Sequence, residues 1–272
     1  MGFTIQSKAC CTRPPIVLRG GYTYEEKGKY EDFNGMKTYV TGSDQATRGV
    51  FLAYDVFGLY VQAIKGADIL AWDYPELPDG AGEFKVFMPD FWGDHPQDLA
   101  NFPPKTPKQT KAVVDFMTGP ANPEKIVPMI GPLFDAFQKA NPQIKTWSIL
   151  GFCWGVKIAA LVTTQGTKFS AAAGAHPSLM DVEDTKHVTV PFCVLPSQDE
   201  DPEYVEAWFA NLKKASPQSY LETFGDQVHG WMTSRVRFLT NVIVSADFND
   251  LHAYEEYLRG YRIVRTFFAA HM

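Results

Sequence analysis

The residues best placed to do chemistry lie in Gly151-Phe-Cys-Trp-Gly155. A short apolar run, Trp147 to Leu150, leads into this pentapeptide. Val156 to Val162, small and aliphatic, follows at once with the character of a buried helix. The order is strand, sharp turn, helix, with a thiol at the apex. Glycines two residues either side of Cys153 are what such a nucleophile elbow requires, because the turn is strained and its neighbours crowd it too closely for side chains. A thiol at the start of a helix also feels the partial positive charge of aligned peptide dipoles, which favours thiolate. A buried, inert cysteine could sit in the same pentapeptide, so the partners decide between the two readings.

The elements that must position those partners are legible from apolar spacing. Strands are predicted at 36–42, 48–54, 84–88, 147–150, 169–175, 190–195 and 219–224, and helices at 60–72, 108–117, 123–140, 156–162, 202–214 and 250–270. Asn122-Pro123 gives a cap and a first-turn proline for the third of these helices. Strands alternating with helices indicate an α/β fold, a mostly parallel central sheet flanked by helices on both faces. Residues 1–35, rich in Gly, Pro, Tyr and charge, read as an extended arm, and 36–272 as a single domain. The long aromatic and proline-rich stretch 91–106 is expected to wall a pocket.

In such sheets ligands bind beyond the carboxyl ends of the strands. The polar residues falling there are Asp55, Asp90, Cys153, His176, Asp199 with Asp201, and His229. A nucleophile, an acid and a histidine in that chain order match the triad of α/β-hydrolases: Cys153, then Asp199 or Asp201, then His229. Asp201 precedes Pro202 and equally suits a helix cap, whereas Asp226 reads as a turn residue. Phe57, Phe91, Trp92, His176 and Trp231 lie on the same loops and are expected to line the substrate site.

From about residue 35 onward the chain resembles the dienelactone hydrolases, in particular their fungal members. The resemblance rests on Asp55-Val-Phe-Gly58, Pro89-Asp90-Phe91, Gly151-Phe-Cys-Trp-Gly155, Asp199 and His229-Gly230. It implies an α/β-hydrolase fold and hydrolysis of a small ester or lactone through an acyl-cysteine. Cys153 would be the nucleophile, His229 the general base and Asp199 the orienting acid, with the N–H groups of Val56 and Trp154 as oxyanion hole. Asp55 matches a position where bacterial members carry a glutamate that interacts with the resting nucleophile. The chain departs from them in lacking an arginine in Pro89–Asp94, and the nearest arginines after His229 are Arg235 and Arg237. Weaker binding of an anionic lactone is therefore expected, and dienelactone is not the expected physiological substrate.

Composition narrows the class further. A net charge of −6 without a basic cluster argues against nucleic acid and against a polybasic membrane patch. The N-terminal residues lack a long apolar segment, which points to a cytoplasmic protein. Cys10, Cys11, Cys153 and Cys193 fit neither a disulfide framework nor a zinc site, so reduced thiols and no metal or cofactor are expected. Cys193 lies within a strand and reads as packing. Thioester hydrolysis, acyl transfer in secondary metabolism and non-catalytic binding of a small molecule are the competing functions, and the sequence does not give the oligomeric state.

Overall fold

The computed structural model describes residues 24–72, 84–235 and 248–272. Among them, eight strands form one sheet in the order β1-β2-β4-β3-β5-β6-β7-β8. These are β1 (Lys29–Phe33), β2 (Met36–Gly42), β3 (Arg48–Ala53), β4 (Phe84–Pro89), β5 (Thr146–Phe152), β6 (Ala171–Ala175), β7 (Phe192–Leu195) and β8 (Tyr220–Leu221). The β1–β2 and β2–β4 pairs are antiparallel and all others parallel. The sheet order reverses at β3, and β5 lies beside it with Ala53 opposite Gly151. The ends of those two neighbouring strands carry Asp55 and Cys153.

Strands β4, β6 and β7 are buried along their whole length, and β3 and β5 all but their first residue, as expected of parallel strands covered on both faces. Helix α1 (Val61–Ala71) packs on β2 and β4 and against α7 (Phe248–His271), which reaches β6 and β7. Helix α4 (Trp154–Val162) lies on β3, β5 and β6 and contacts α3 (Pro123–Ala140). Helices α2 (Pro107–Thr118), α5 (Val182–Thr185) and α6 (Pro202–Ala215) complete the chain order. The starts of α2, α3, α5 and α6 are each fixed locally: Thr106 forms a capping box with Gln109, Asn122 accepts from Glu124 N–H ahead of Pro123, Asp181 from Glu183 N–H, and Asp201 from Glu203 and Tyr204 N–H.

Two differences from the sequence expectation have simple causes. Within the expected N-terminal arm, Lys29–Phe33 is an edge strand closed onto β2 by Asn34-Gly35, both at positive φ. Its KYEDF sequence exposes charge, as edge strands do, and so carries no apolar run to read. Residues 1–23 of that arm lie outside the described residues. The last strand is short because its pairing with β7 is interrupted and resumes only as a single bridge between Ser197 and Phe224.

The elbow glycines are sterically required. A Cβ on Gly155 would stand 2.0 Å from the Ala53 carbonyl oxygen, and one on Gly151 would stand 2.3 Å from the Gly155 oxygen. Gly155→Ala is therefore expected to destabilise the protein by about 1–3 kcal/mol or more. Gly131→Ala, in exposed α3 where an added methyl meets nothing, is expected to be neutral or slightly stabilising. Denaturation midpoints of the two variants measure this, and equal midpoints would contradict the steric account.

Candidate active site

Strand β5 delivers Cys153 to the start of α4 with φ 52° and ψ −109°, a left-handed backbone that non-glycine residues adopt at a cost. Hydrogen bonds hold the strained residue on both sides. Cys153 N–H donates to Ala175 O (3.2 Å), while Ser178 N–H (3.1 Å) and Val156 N–H (3.2 Å) donate to Cys153 O. The thiol is 5% exposed and donates to Ser178 Oγ at 3.4 Å. Burial, then the Asp55 charge, push its pKa up to about 12, against Ser178, Arg235 and the Trp154 N–H. The Cys153 thiol is therefore held in its protonated form.

Asp55 sits just past β3, buried, and both of its carboxylate oxygens are engaged. Phe57 N–H donates to Oδ1 (2.9 Å) and the Thr233 hydroxyl to Oδ2 (2.7 Å). Burial raises its pKa, opposed by these donors, Ser234 and Arg235.

At the histidine the structure brings in a carboxylate that the sequence reading did not name. His229 Nδ1 lies 2.5 Å from Glu200 Oε1, a wholly buried contact. Asp199 accepts from the backbone N–H of His229 at 2.9 Å. Asp201 caps α6, and Asp226 pairs with His252. The Ser197–Asp201 turn explains the substitution: Ser197 N–H donates to Glu200 Oε2 and Asp199 N–H to Ser197 Oγ (3.2 Å), which turns Glu200 inward. Burial opposes charge on both partners, lifting the Glu200 pKa to about 7 and driving that of His229 well down. Nε2 of His229, without a hydrogen-bond partner among the described residues, remains as the basic atom.

A small cavity, with room for little more than a water molecule, has Cys153, His229, Asp55 and Arg235 in its wall, with Phe57 and Phe102 as its aromatic surface. Val56 and Gly230 also border it. Trp154, whose N–H faces the thiol, is the first residue of α4. Arg235 is buried and donates from Nη1 to His229 O (2.7 Å), so an arginine distant from the elbow in sequence stands in the same wall. Arg237 lies outside the described residues.

The other expected lining residues divide. Phe57 lines the cavity; His176, fully buried, stands behind its wall with its ring 5.1 Å from that of His229. Trp92 does not line it: its indole N–H holds Asp55 O (3.1 Å) and its ring meets Trp154 and Phe116 edge-on. Phe91 packs on Phe51, Tyr54 and Trp154 in the same cluster. Trp231 is stacked on Phe224 at 4.0 Å, in the core. Asp90 serves the loop, accepting from Tyr54 OH and Gly93 N–H. Glu200, Ser178 and Phe102 were absent from the sequence-based set. Phe102 lies in the 91–106 loop expected to wall the pocket, while Ser178 carries no sequence signal. Among the described residues, no group of three His, Cys, Asp or Glu side chains is arranged to hold a metal ion, and no helix is long and apolar enough to cross a membrane.

A mostly parallel sheet with a nucleophile elbow between strand and helix, and a histidine and a carboxylate from later strand ends, defines an α/β-hydrolase. The model of the dienelactone hydrolase family matches residues 36–257, and the chain belongs to that family, which makes it an ester-cleaving hydrolase. It is 34% identical over 268 residues to an uncharacterized AIM2 family protein of Schizosaccharomyces pombe, covering 97% of this chain and 99% of that one. A second such protein of the same organism is 33% identical over 264 residues, covering 95% and 98%. Among solved structures, the dienelactone hydrolase-like promiscuous phosphotriesterase P91 from metagenomic libraries shares the fold. Its TM-score is 0.55 at 14% identity, over 86% of this chain and 96% of that one.

Proposed function

We propose that the chain hydrolyses a small carboxylic ester or lactone through an acyl-cysteine on Cys153. Cys153 is the nucleophile, His229 the general base, and Glu200, in place of Asp199, the acid that holds the imidazole. The observation that carries this reading is one cavity wall shared by a thiol on a left-handed elbow and a histidine whose far nitrogen is fixed by a buried carboxylate. The Sγ proton passes to His229 Nε2 as sulfur bonds to the carbonyl carbon. The imidazolium, stabilised by Glu200, then protonates the leaving oxygen. The Trp154 and Val56 N–H groups are assigned to the developing oxyanion, where such donors are each worth about 2.7–4 kcal/mol.

The wall chemistry supports a compact substrate. Phe57 and Phe102 suit a short apolar part, and Arg235 supplies a cation for a negatively charged or strongly accepting group. A thiol that must stay reduced suits the cytoplasm.

Asp55 restrains the nucleophile in this account, since its charge raises the thiol pKa. Removing a neighbouring negative charge lowers a thiol pKa, so Asp55→Asn should move the pH profile of iodoacetamide alkylation to lower pH. At neutral pH the alkylation rate should rise about ten-fold. A rate and profile matching the parent protein would contradict the restraint. The function itself is tested by stoichiometric alkylation of Cys153 coupled to loss of p-nitrophenyl acetate hydrolysis; full labelling with turnover intact would refute it.

A further inference from the structure

One buried imidazole is not used by the reaction as described. His176 ends β6 at φ 40°, a left-handed conformation that a non-glycine residue keeps only when its surroundings over-determine it. Its N–H donates to Leu195 O at 2.9 Å, and two residues on, Ser178 N–H is bonded to the Cys153 carbonyl. The segment is thus laced to the elbow. The ring stacks on Phe152 (5.7 Å between centroids, 15° between planes) and meets His229 edge-on at 5.1 Å. It is fully buried, yet neither Nδ1 nor Nε2 has a hydrogen-bond partner among the described residues, and neither does His229 Nε2. Two adjacent imidazoles with unpartnered buried nitrogens are costly unless a small polar guest completes them during the reaction. Phe152 already fills the apolar role on one face, so packing alone gives no reason for a histidine here.

We propose that His176 is a positioning residue for the water that hydrolyses the acyl-cysteine, an inference that rests on the acyl-cysteine reading above. The water donates one O–H to His229 Nε2 and the other to the unprotonated nitrogen of His176, which leaves a lone pair directed at the acyl carbon. As the oxygen–carbon bond forms, the carbonyl π pair moves to its oxygen and the first proton passes to His229. Collapse re-forms the carbonyl, breaks the C–S bond and returns that proton from His229 to Sγ. The carboxylic acid departs with His176 unchanged. Burial first, then the neighbouring His229 and Arg235, keep His176 neutral and so able to accept.

His176→Phe keeps an aromatic ring against Phe152 and removes the acceptor. In stopped-flow assays with p-nitrophenyl acetate, this variant should acylate at the parent rate and release a full burst of nitrophenol. Steady-state turnover should fall about ten- to a hundred-fold, the range for a misoriented reactant. The acetylated form should accumulate by intact mass, and hydroxylamine, a stronger nucleophile, should restore turnover. His176→Asn, whose amide oxygen can accept, should recover part of the loss and is the deciding variant if the phenylalanine form does not fold. Parent deacylation rates in both variants, or burst and steady state falling in equal proportion, would overturn the proposal. Failure of the underlying reading looks different: no adduct on Cys153 in the parent or in either variant.

Discussion

Cys153→Ala is expected to fold as the parent does and to lose ester hydrolysis by at least about 10⁴-fold, because the nucleophile assigned to the acyl intermediate is gone. The methyl group of alanine fits the space, and the elbow strain is carried by the backbone bonds to Ala175, Ser178 and Val156, which the substitution leaves in place. KM for residual turnover should change little, since the pocket and its arginine remain. The neighbouring hydroxyls are Ser178, 3.4 Å from the thiol sulfur, and Ser234 in the cavity wall. Neither stands on the elbow, so neither should rescue the variant. Rates of p-nitrophenyl acetate hydrolysis, with circular dichroism to confirm folding, measure the effect; turnover equal to the parent would remove Cys153 from the reaction.

The second large effect separates two neighbouring carboxylates. Glu200→Gln leaves the shape of the His229 contact but replaces an acceptor-only carboxylate with an amide, which neither fixes the tautomer nor stabilises an imidazolium. A loss of about 10³–10⁴-fold in kcat is expected. Asp199→Asn keeps an oxygen for the His229 backbone N–H and should cost less than about ten-fold. Paired kcat measurements decide between them, and the reverse order of effects would return the triad acid to Asp199.

The two carboxylates also mark where sequence reasoning stopped. The elbow was readable because sterics fix it: a strand, a strained apex and close-packed glycines leave a spacing that few other structures share. The order along the chain of a thiol, a group of acids and a histidine just past successive strands was readable for the same reason of topology. Which of three consecutive acids turns inward was not, because that depends on hydrogen bonds inside a five-residue turn, Ser197 to Glu200 and Asp199 to Ser197. Aromatic residues fared similarly. Phe57, Trp92 and Trp231 look alike in sequence, yet one lines the cavity, one braces the Asp55 loop and one is core, since side-chain direction at loop positions has no periodicity to betray it. Arg235 was visible only as a distance along the chain. The turn that brings it back runs through Gly230 at φ 87°, whose carbonyl accepts from Arg235 N–H at 3.0 Å.

The β1 edge strand shows the complementary limit. The strand before Asn34-Gly35 presents charge to solvent and lacks the apolar run by which β3 to β7 were recognised. Central parallel strands advertise themselves, while edges are polar by design against association.

The central claim is that the acyl group rests on the Cys153 sulfur. Rapid acid quenching during p-nitrophenyl acetate turnover, followed by peptide mass spectrometry, tests it most directly. The account predicts one acetyl group on the peptide containing Cys153, formed and lost at rates that account for turnover, and absent from Cys153→Ala. Undiminished turnover with no adduct there, or with the acetyl group on Ser178 instead, would contradict it.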